Sequence, residues 1–325
     1  MKKYKIVYMG TPEFAVAPLK LLLKEKFNIC AVVTAPDKPV GRGQKIAQSD
    51  VKKFAIENGL KVLQPTSLKD PEFIDQLKQI NAHLFIVVAF RMLPKAVWSI
   101  PKLGTFNLHA SLLPMYRGAA PINWAIINGE TKSGVTTFLI DEKIDTGKIL
   151  FQQQCEIKES YNAGDLHDRL MDMGAQLVIK TVKALIMKTT CAIEQQSELS
   201  ELKMAPKLNK ETGAINWELP SIEILNLIRG LSPSPAAHSV LENSEKSISV
   251  KIFEASANNS SSKLLSGEIE TDSKSYLRVG CAKGSLDIKS LQAAGKKRLP
   301  IKEFLAGLRD AQSFHFVKTL ITQNR

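Results

Sequence analysis

The sequence predicts an α/β protein: a mostly parallel sheet covered by helices, followed by a small antiparallel β domain. Three observations carry that reading. Continuous Val/Ile-rich runs, "YKIVYMG", "NICAVVTAP" and "HLFIVVAF", alternate with helical periodicity in "FAVAPLKLLLKE" and "PEFIDQLKQI". Unbroken apolar strands of this kind are buried on both faces by crossover helices. The composition then turns polar at "KTTCAIEQQSELSELKMAPKLNKETG", which marks a linker. Beyond it, "SISVKIFEA", "LSGEIE", "SYLRVGCA" and "GSLDIKSLQ" are short strands with turn signals between them, suited to a small antiparallel barrel or sandwich. The expected division is residues 1–189, a linker over 190–206, and a second domain over 207–325.

Along the chain, Gly10 ends the first strand, with Thr11 expected as N-cap and Pro12 as the first helical residue. Gly10 stands alone, and "GRGQKI" lacks the third glycine of a dinucleotide fingerprint. Neither Gly147-Lys148 nor Gly295-Lys296 has the surroundings of a P-loop, so these nucleotide cradles are excluded. "GTFN" is a strand end, the position where open α/β sheets bind ligands. "SGVTTFLIDEKIDTGKILFQQQCEI" forms two strands joined by a polar turn that carries Asp141, Glu142, Asp145 and Gly147. A long amphipathic helix follows in "NAGDLHDRLMDMGAQLVIKTVKALIM", and after the linker come a short helix, "SIEILNLIRGL", the turn-rich "SPSPAAHS" and a surface hairpin tip, "NNSSSK".

At 325 residues, with 44% hydrophobic and 23% charged, the chain has the composition of an ordinary soluble globular protein of about two domains. No apolar run approaches the roughly 20 residues that span a bilayer. The opening "MKKYKIVYMGTPEF" lacks a signal h-region and a cleavage site. The expectation is a cytoplasmic protein with no membrane partner. Cys30, Cys155, Cys191 and Cys281 are far apart with no C-x-x-C pair, which argues for reduced thiols and against a zinc ribbon. A net charge of +12 points to a polyanionic partner, with nucleic acid the foremost candidate.

The candidate chemistry lies in "TFNLHASLLPMYRGAAPINWAI". Asn107 and His109 are two apart in extended chain, so both project to one side of the strand. An amide NH₂ and an imidazole N–H are both donors, and two donors converging on a carbonyl oxygen stabilise the oxyanion that develops in acyl transfer. Asp145 is the candidate carboxylate, either holding His109 as a cation or accepting an amine proton. No activated nucleophile is evident, which favours direct attack by a substrate amine over a covalent acyl-enzyme. Lone His83, inside an apolar strand, reads as structural.

"NLHASLLPMYRGAAPINWAIINGE" together with "IDTG" resembles the folate-dependent formyltransferases, whose shared pattern is Asn-x-His, Ser-Leu-Leu-Pro, Arg-Gly and a distal Asp. The resemblance implies a Rossmann-like catalytic domain, followed by a C-terminal OB-like β-barrel domain that binds tRNA. It implies that Asn107 and His109 take the formyl oxygen, that Asp145 organises proton transfers, and that Ser111, Leu112, Leu113 and Pro114, with Phe90 and Leu93, line the folate cleft. "GTPEFAV", "APDKPVGRGQKI", "APKLNKETGAINW" and "LQAAGKKRLPIKEFLAGL" extend it over almost the whole chain, towards the branch that acts on methionyl initiator tRNA. The implied reaction is transfer of formyl from 10-formyltetrahydrofolate, a co-substrate, to the methionine α-amino group, with no metal. The implied tRNA contacts are Arg42 and Lys45 in the insertion loop and Lys296, Lys297 and Arg298 in "GKKR". From residue 289 onward eight Lys/Arg face two acidic residues, an excess suited to phosphates. A monomer is expected.

Met115 and Asp50 stand where the family often carries a basic residue and a proline, and "AFRMLP" is one residue shorter than the usual segment. "GRGQK" and "GKKR" read alternatively as solvated loops, and Tyr116 and Trp124 as packing, Trp124 the more so because it lies on a helix. Two rival functions remain. One is a formyltransferase acting on an amino-sugar nucleotide. The other is an RNA-binding protein on a decayed enzyme scaffold, against which the Asn107/His109/Asp145 trio argues.

Overall fold

The computed structural model describes residues 3–40, 45–196, 202–258 and 264–318. The chain resolves into two compact units. One comprises residues 1–118, 132–155 and 167–204; the other comprises 119–131, 156–166 and 205–325. The second unit therefore takes two segments, 119–131 and 156–166, from inside the first half of the chain as well as everything from 205 on.

The first half of the chain runs β1 (Lys5–Gly10), α1 (Val16–Lys24), β2 (Asn28–Val33), α2 (Asp50–Glu57), β3 (Val62–Leu63), α3 (Pro71–Ile80), β4 (Leu84–Val88), α4 (Lys95–Trp98) and β5 (Thr105–His109). It continues through α5 (Pro121–Ile127), β6 (Lys132–Leu139), β7 (Ile149–Glu156) and α6 (Ala163–Met187). The sheet order is β7-β6-β5-β4-β1-β2-β3. The β3-β2-β1-β4-β5 part is parallel throughout, whereas β6 runs antiparallel to β5. The parallel series therefore ends at β5: α5 still separates β5 from β6, and the "DEKIDTG" turn then links β6 to β7 with no helix between them.

Side-chain alternation sorts the two faces. Val7, Met9, Ala31, Val33, Phe85 and Val87 pack with Phe73 and Leu77 of α3 and Val97 of α4. On β5, the Thr105 hydroxyl donates to Trp98 O of α4 at 2.7 Å, so Thr105, Asn107 and His109 share that face. Leu108 points the other way, against Gly174 of α6, where an added Cβ would lie 2.7 Å from Leu108 Cδ2.

Thr11 caps nothing. Pro12 is the residue preceding a 3₁₀ turn over Glu13–Ala15, and α1 begins only at Val16. The Tyr8 hydroxyl, buried beside this turn, donates to Ala15 O at 2.6 Å, and burial raises its pKa well above the usual phenol value. Asp50 starts α2, where Ser49 accepts from Lys52 N and Asp50 pairs with Lys53 at 3.1 Å. An acid in the first turn suits the helix dipole, which accounts for Asp50 without any role in ligand binding. The insertion loop is carried by a hairpin of Lys38–Val40 and Lys45–Ala47; Arg42 lies outside the described residues, as does most of "NNSSSK". His83 accepts from Lys5 N at 3.1 Å and its ring meets Tyr4 edge-on, a structural position.

The second unit adds α7 (Lys210–Gly213), α8 (Ser221–Leu231), β8 (Ala237–Glu242), β9 (Ser247–Asn258), β10 (Ile269–Thr271), β11 (Leu277–Gly280), β12 (Ser285–Ala293), β13 (Leu299–Pro300), α9 (Ile301–Ala306) and β14 (His315–Val317). The strand order is β10-β11-β12-β9-β8-β14, with β13 on β12. An antiparallel bridge between Glu268 and His315, with Phe316 N–H donating to Gly267 O at 2.8 Å, ties the last strand back to the first. The domain is therefore a barrel rather than a sandwich. Gly267 sits at φ +81°, and any Cβ there would strike the Phe316 carbonyl. Ile215, Trp217, Ile224, Ile228, Leu241, Ile252, Leu286 and Phe316 fill the interior. Strand β8 begins inside what reads as turn-rich "SPSPAAHS", since the prolines end before Ala237.

Candidate active site

The carboxyl-end half of β5 carries Asn107 and His109, and the β6–β7 turn carries Asp145, the three groups expected to react. Asn107 lies between Val87 of β4 and Phe138 of β6. It is half-buried, and its amide makes no hydrogen bond among the described residues, leaving both donors for a ligand. His109 is only 6% exposed. Its Nε2 lies 2.8 Å from Tyr116 O and its Nδ1 3.7 Å from Asp145 Oδ2. A carbonyl can only accept, so Nε2 carries the proton and Nδ1 is the nitrogen left to face a reactant.

Asp145 comes to His109 because the β6–β7 turn folds tightly. Asp141 accepts from Lys143 N at 3.0 Å and from the Thr146 hydroxyl at 2.8 Å, so it shapes the turn. Glu142 reaches Lys95 at 2.6 Å on the surface, and that hydrogen bond holds its carboxyl below the usual range. Of the acidic residues in the turn, Asp145 alone points at the imidazole. It stands in the left-handed region at φ 55°, and its Oδ2 accepts from Gly118 N at 2.9 Å. Gly147 is indispensable for the return path, because a Cβ there would overlap the Leu139 carbonyl oxygen.

Ser-Leu-Leu-Pro is a tight, internally bonded turn. The Ser111 hydroxyl donates to Met115 O at 2.7 Å, and Leu113–Pro114 is cis. Fully buried Thr136 donates to Ser111 O at 2.6 Å and accepts from Leu113 N at 3.2 Å and Gln152 Nε2 at 3.0 Å. Thr136→Val keeps the shape but strands these groups, so urea denaturation should show a loss of about 1–3 kcal/mol with an unchanged m-value. A wild-type midpoint would show that water replaces the hydroxyl at no cost. Leu112 and Pro114 are half-buried, whereas Leu113 and Leu93 are interior. Leu93 packs among the α3 and α4 side chains. Phe90 is half-buried under the Arg91 guanidinium, 5.3 Å from its ring centre. Arg91 donates to Pro65 O and Thr66 O, its Nε is buried without a partner, and burial lowers its pKa.

Lys296, Lys297 and Arg298 are exposed on the turn between β12 and β13. Arg298 is the most constrained: it donates to Ser290 Oγ at 2.7 Å, pairs with Glu254 at 3.7 Å and covers the Phe253 ring. Lys45 opens the second arm of the insertion hairpin. Trp124 donates to Pro206 O at 2.8 Å, consistent with packing. Sequence reasoning missed Tyr116, Thr136 and Gln152 as supports of the site. Tyr116 left one signal, its place inside the motif; the other two act through folded contacts.

Among the described residues no group of His, Cys, Asp and Glu could hold a metal ion, and no helix is long and apolar enough to cross a membrane. The formyl transferase family model matches residues 3–182, and the formyl transferase C-terminal domain model matches residues 207–309. Fold and domain pairing thus define a transferase enzyme of the formyl transferase class.

The chain is 51% identical to methionyl-tRNA formyltransferase of Flavobacterium johnsoniae over 95% of this chain and 97% of that protein. It is 49% identical to the enzyme of that name from Bacteroides fragilis over 97% and 98% respectively. The chain belongs to the methionyl-tRNA formyltransferase family. Among solved structures, it is similar to an N-formyltransferase from Helicobacter canadensis in complex with folinic acid and dTDP-3-aminofucose. That match has a TM-score of 0.65 and 25% identity, and covers 91% of this chain and 100% of that one.

Proposed function

We propose that the protein transfers the formyl group of 10-formyltetrahydrofolate to the α-amino group of methionyl initiator tRNA, in the cytoplasm. The observation that carries the mechanism is the juxtaposition of His109 Nδ1 and Asp145 Oδ2 beside the amide of Asn107, which makes no hydrogen bond among the described residues. Relatives near 50% identity over almost the full chain support the acceptor.

In this reading the methionine amine attacks the formyl carbon, forming the new C–N bond. Asn107 donates to the oxyanion. His109 donates as well, and because its Nε2–H is committed to Tyr116 O, only the imidazolium can offer Nδ1–H. Asp145 stabilises that cation and takes the proton leaving the amine. The proton then passes to N10 of the folate as the C–N10 bond breaks, releasing tetrahydrofolate. Leu112 and Pro114 line the folate cleft with Phe90; Leu93 and Leu113 shape it from behind. Lys296 and Lys297, with the insertion loop, contact tRNA phosphates.

Formyl transfer should be measured with charged initiator tRNA beside an amino-sugar nucleotide, across a salt series. The expected result is transfer to tRNA alone, weakening steeply with salt as phosphate contacts are screened. Lys296→Ala with Lys297→Ala should raise KM for the tRNA and reduce the salt slope by about 2, one for each phosphate contact. Transfer to the sugar alone would keep the chemistry and overturn the acceptor.

A further inference from the structure

Gln195 lies in the polar segment after α6, a stretch whose composition announces only a connector. Its side chain is nonetheless among the most fully engaged near the site. Its Nε2 donates to Asp145 O at 3.0 Å and to Gly147 O at 2.8 Å. Its Oε1 accepts from Arg117 Nη2 at 2.6 Å and Nε at 3.2 Å. Two carbonyls on one end and a guanidinium on the other fix the amide orientation unambiguously.

The segment is docked where this requires. Ile193 and Ile149 exchange both backbone hydrogen bonds, at 2.8 and 2.9 Å, extending the edge of β7. Lys148 and Glu194 form an ion pair at 2.7 Å. Further on, Lys203 O accepts from Tyr116 N at 2.6 Å. Tyr116 is the residue whose carbonyl holds His109 Nε2. One connector thus secures the backbone of Asp145 at one point and the carbonyl partner of His109 at another.

We infer that Gln195 is a positioning residue for formyl transfer, clamping the Asp145–Gly147 backbone against Arg117 so that the Asp145 carboxylate stays on His109. The inference rests on the role assigned to Asp145 above. Asp145 sits at a left-handed backbone angle that costs energy for a non-glycine residue. Of the carbonyls around that angle, those of Asp145 and Gly147 are the two Gln195 holds. Without it, the turn relaxes towards ordinary angles and the carboxylate swings off the imidazole. Displacements near 1 Å from reacting groups can cost about 100-fold.

The experiment is steady-state formyl transfer with Gln195→Ala, Gln195→Glu, Asp145→Ala and the Gln195→Ala/Asp145→Ala double variant, each with a melting curve. Gln195→Ala should lower kcat about 10- to 100-fold with KM for both substrates within about twofold. Gln195→Glu should be worse, since it keeps the Arg117 contact but turns a carboxylate towards two carbonyls. The double variant should be no slower than Asp145→Ala, because one residue acts through the other. Full turnover in Gln195→Ala, or independent multiplication of the two defects, overturns the inference. An Asp145→Ala enzyme that retains turnover instead removes the role of Asp145, a failure recognisable before Gln195 is considered.

Discussion

His109→Ala should lower formyl transfer by at least about 100-fold, as removal of an oxyanion donor does. The imidazole is buried, its Nε2 lies 2.8 Å from Tyr116 O and its Nδ1 3.7 Å from Asp145 Oδ2, so in the proposed mechanism the variant loses the nitrogen assigned to the oxyanion. Asp145→Asn sharpens the test. An asparagine oxygen can still accept from Gly118 N–H, so the turn keeps its anchor while the negative charge disappears. A kcat loss comparable to that of Asp145→Ala would assign the effect to charge; near wild-type turnover would reduce Asp145 to a turn former. For His109→Ala, single-turnover rates close to wild type would remove the oxyanion assignment altogether. The His109→Ala variant needs a melting curve, because truncation leaves a cavity and takes the imidazole away from Tyr116 O.

Gly147→Ala should be the most damaging substitution that adds only a methyl group. The new Cβ would occupy the position of the Leu139 carbonyl oxygen, a backbone atom that cannot step aside as a side chain can. Leu139 N also donates to Lys148 O at 2.9 Å, so the two ends of the turn separate together. Overpacking of this kind costs about 1–3 kcal/mol. Asp145 and the carbonyls that Gln195 holds move with the turn, so kcat should fall on the order of 100-fold even well below the melting temperature. A variant with a lowered melting point but normal kcat would show that the turn can shift without carrying Asp145 away.

Much of this was legible before any coordinates. The Val/Ile runs announced the parallel strands because such runs survive only between two helical layers. Asn107 and His109 could be paired on one face because strand periodicity is rigid. What escaped depended on contacts between distant positions. Gln195 carries no local signal, and its importance comes from residues about 50 and 80 positions earlier. Thr136 reads as an ordinary strand threonine until Ser111, Leu113 and Gln152 converge on it. Thr11 does not cap α1 because a 3₁₀ turn over Glu13–Ala15, which Pro12 precedes, comes before the helix. Strand β8 was hidden by the prolines just before it, and the antiparallel β6 by the parallel series that precedes it.

The second unit recruits residues 119–131 and 156–166 from the middle of the catalytic half. Helix α5 lies so close on α8 that Asn123 donates to Gly230 O at 2.7 Å, and a methyl on Gly230 would fall 2.5 Å from Ile127 Cγ1. Arg229 likewise donates to Tyr161 O at 2.9 Å. A cut at residue 207 therefore does not release a self-sufficient module. The excised tail would expose the apolar side of α8 that α5 had covered, inviting aggregation. Grafting this tail onto another catalytic half succeeds only if the recipient brings matching middle segments, so the two halves are constrained to change in step rather than shuffle as separate cassettes.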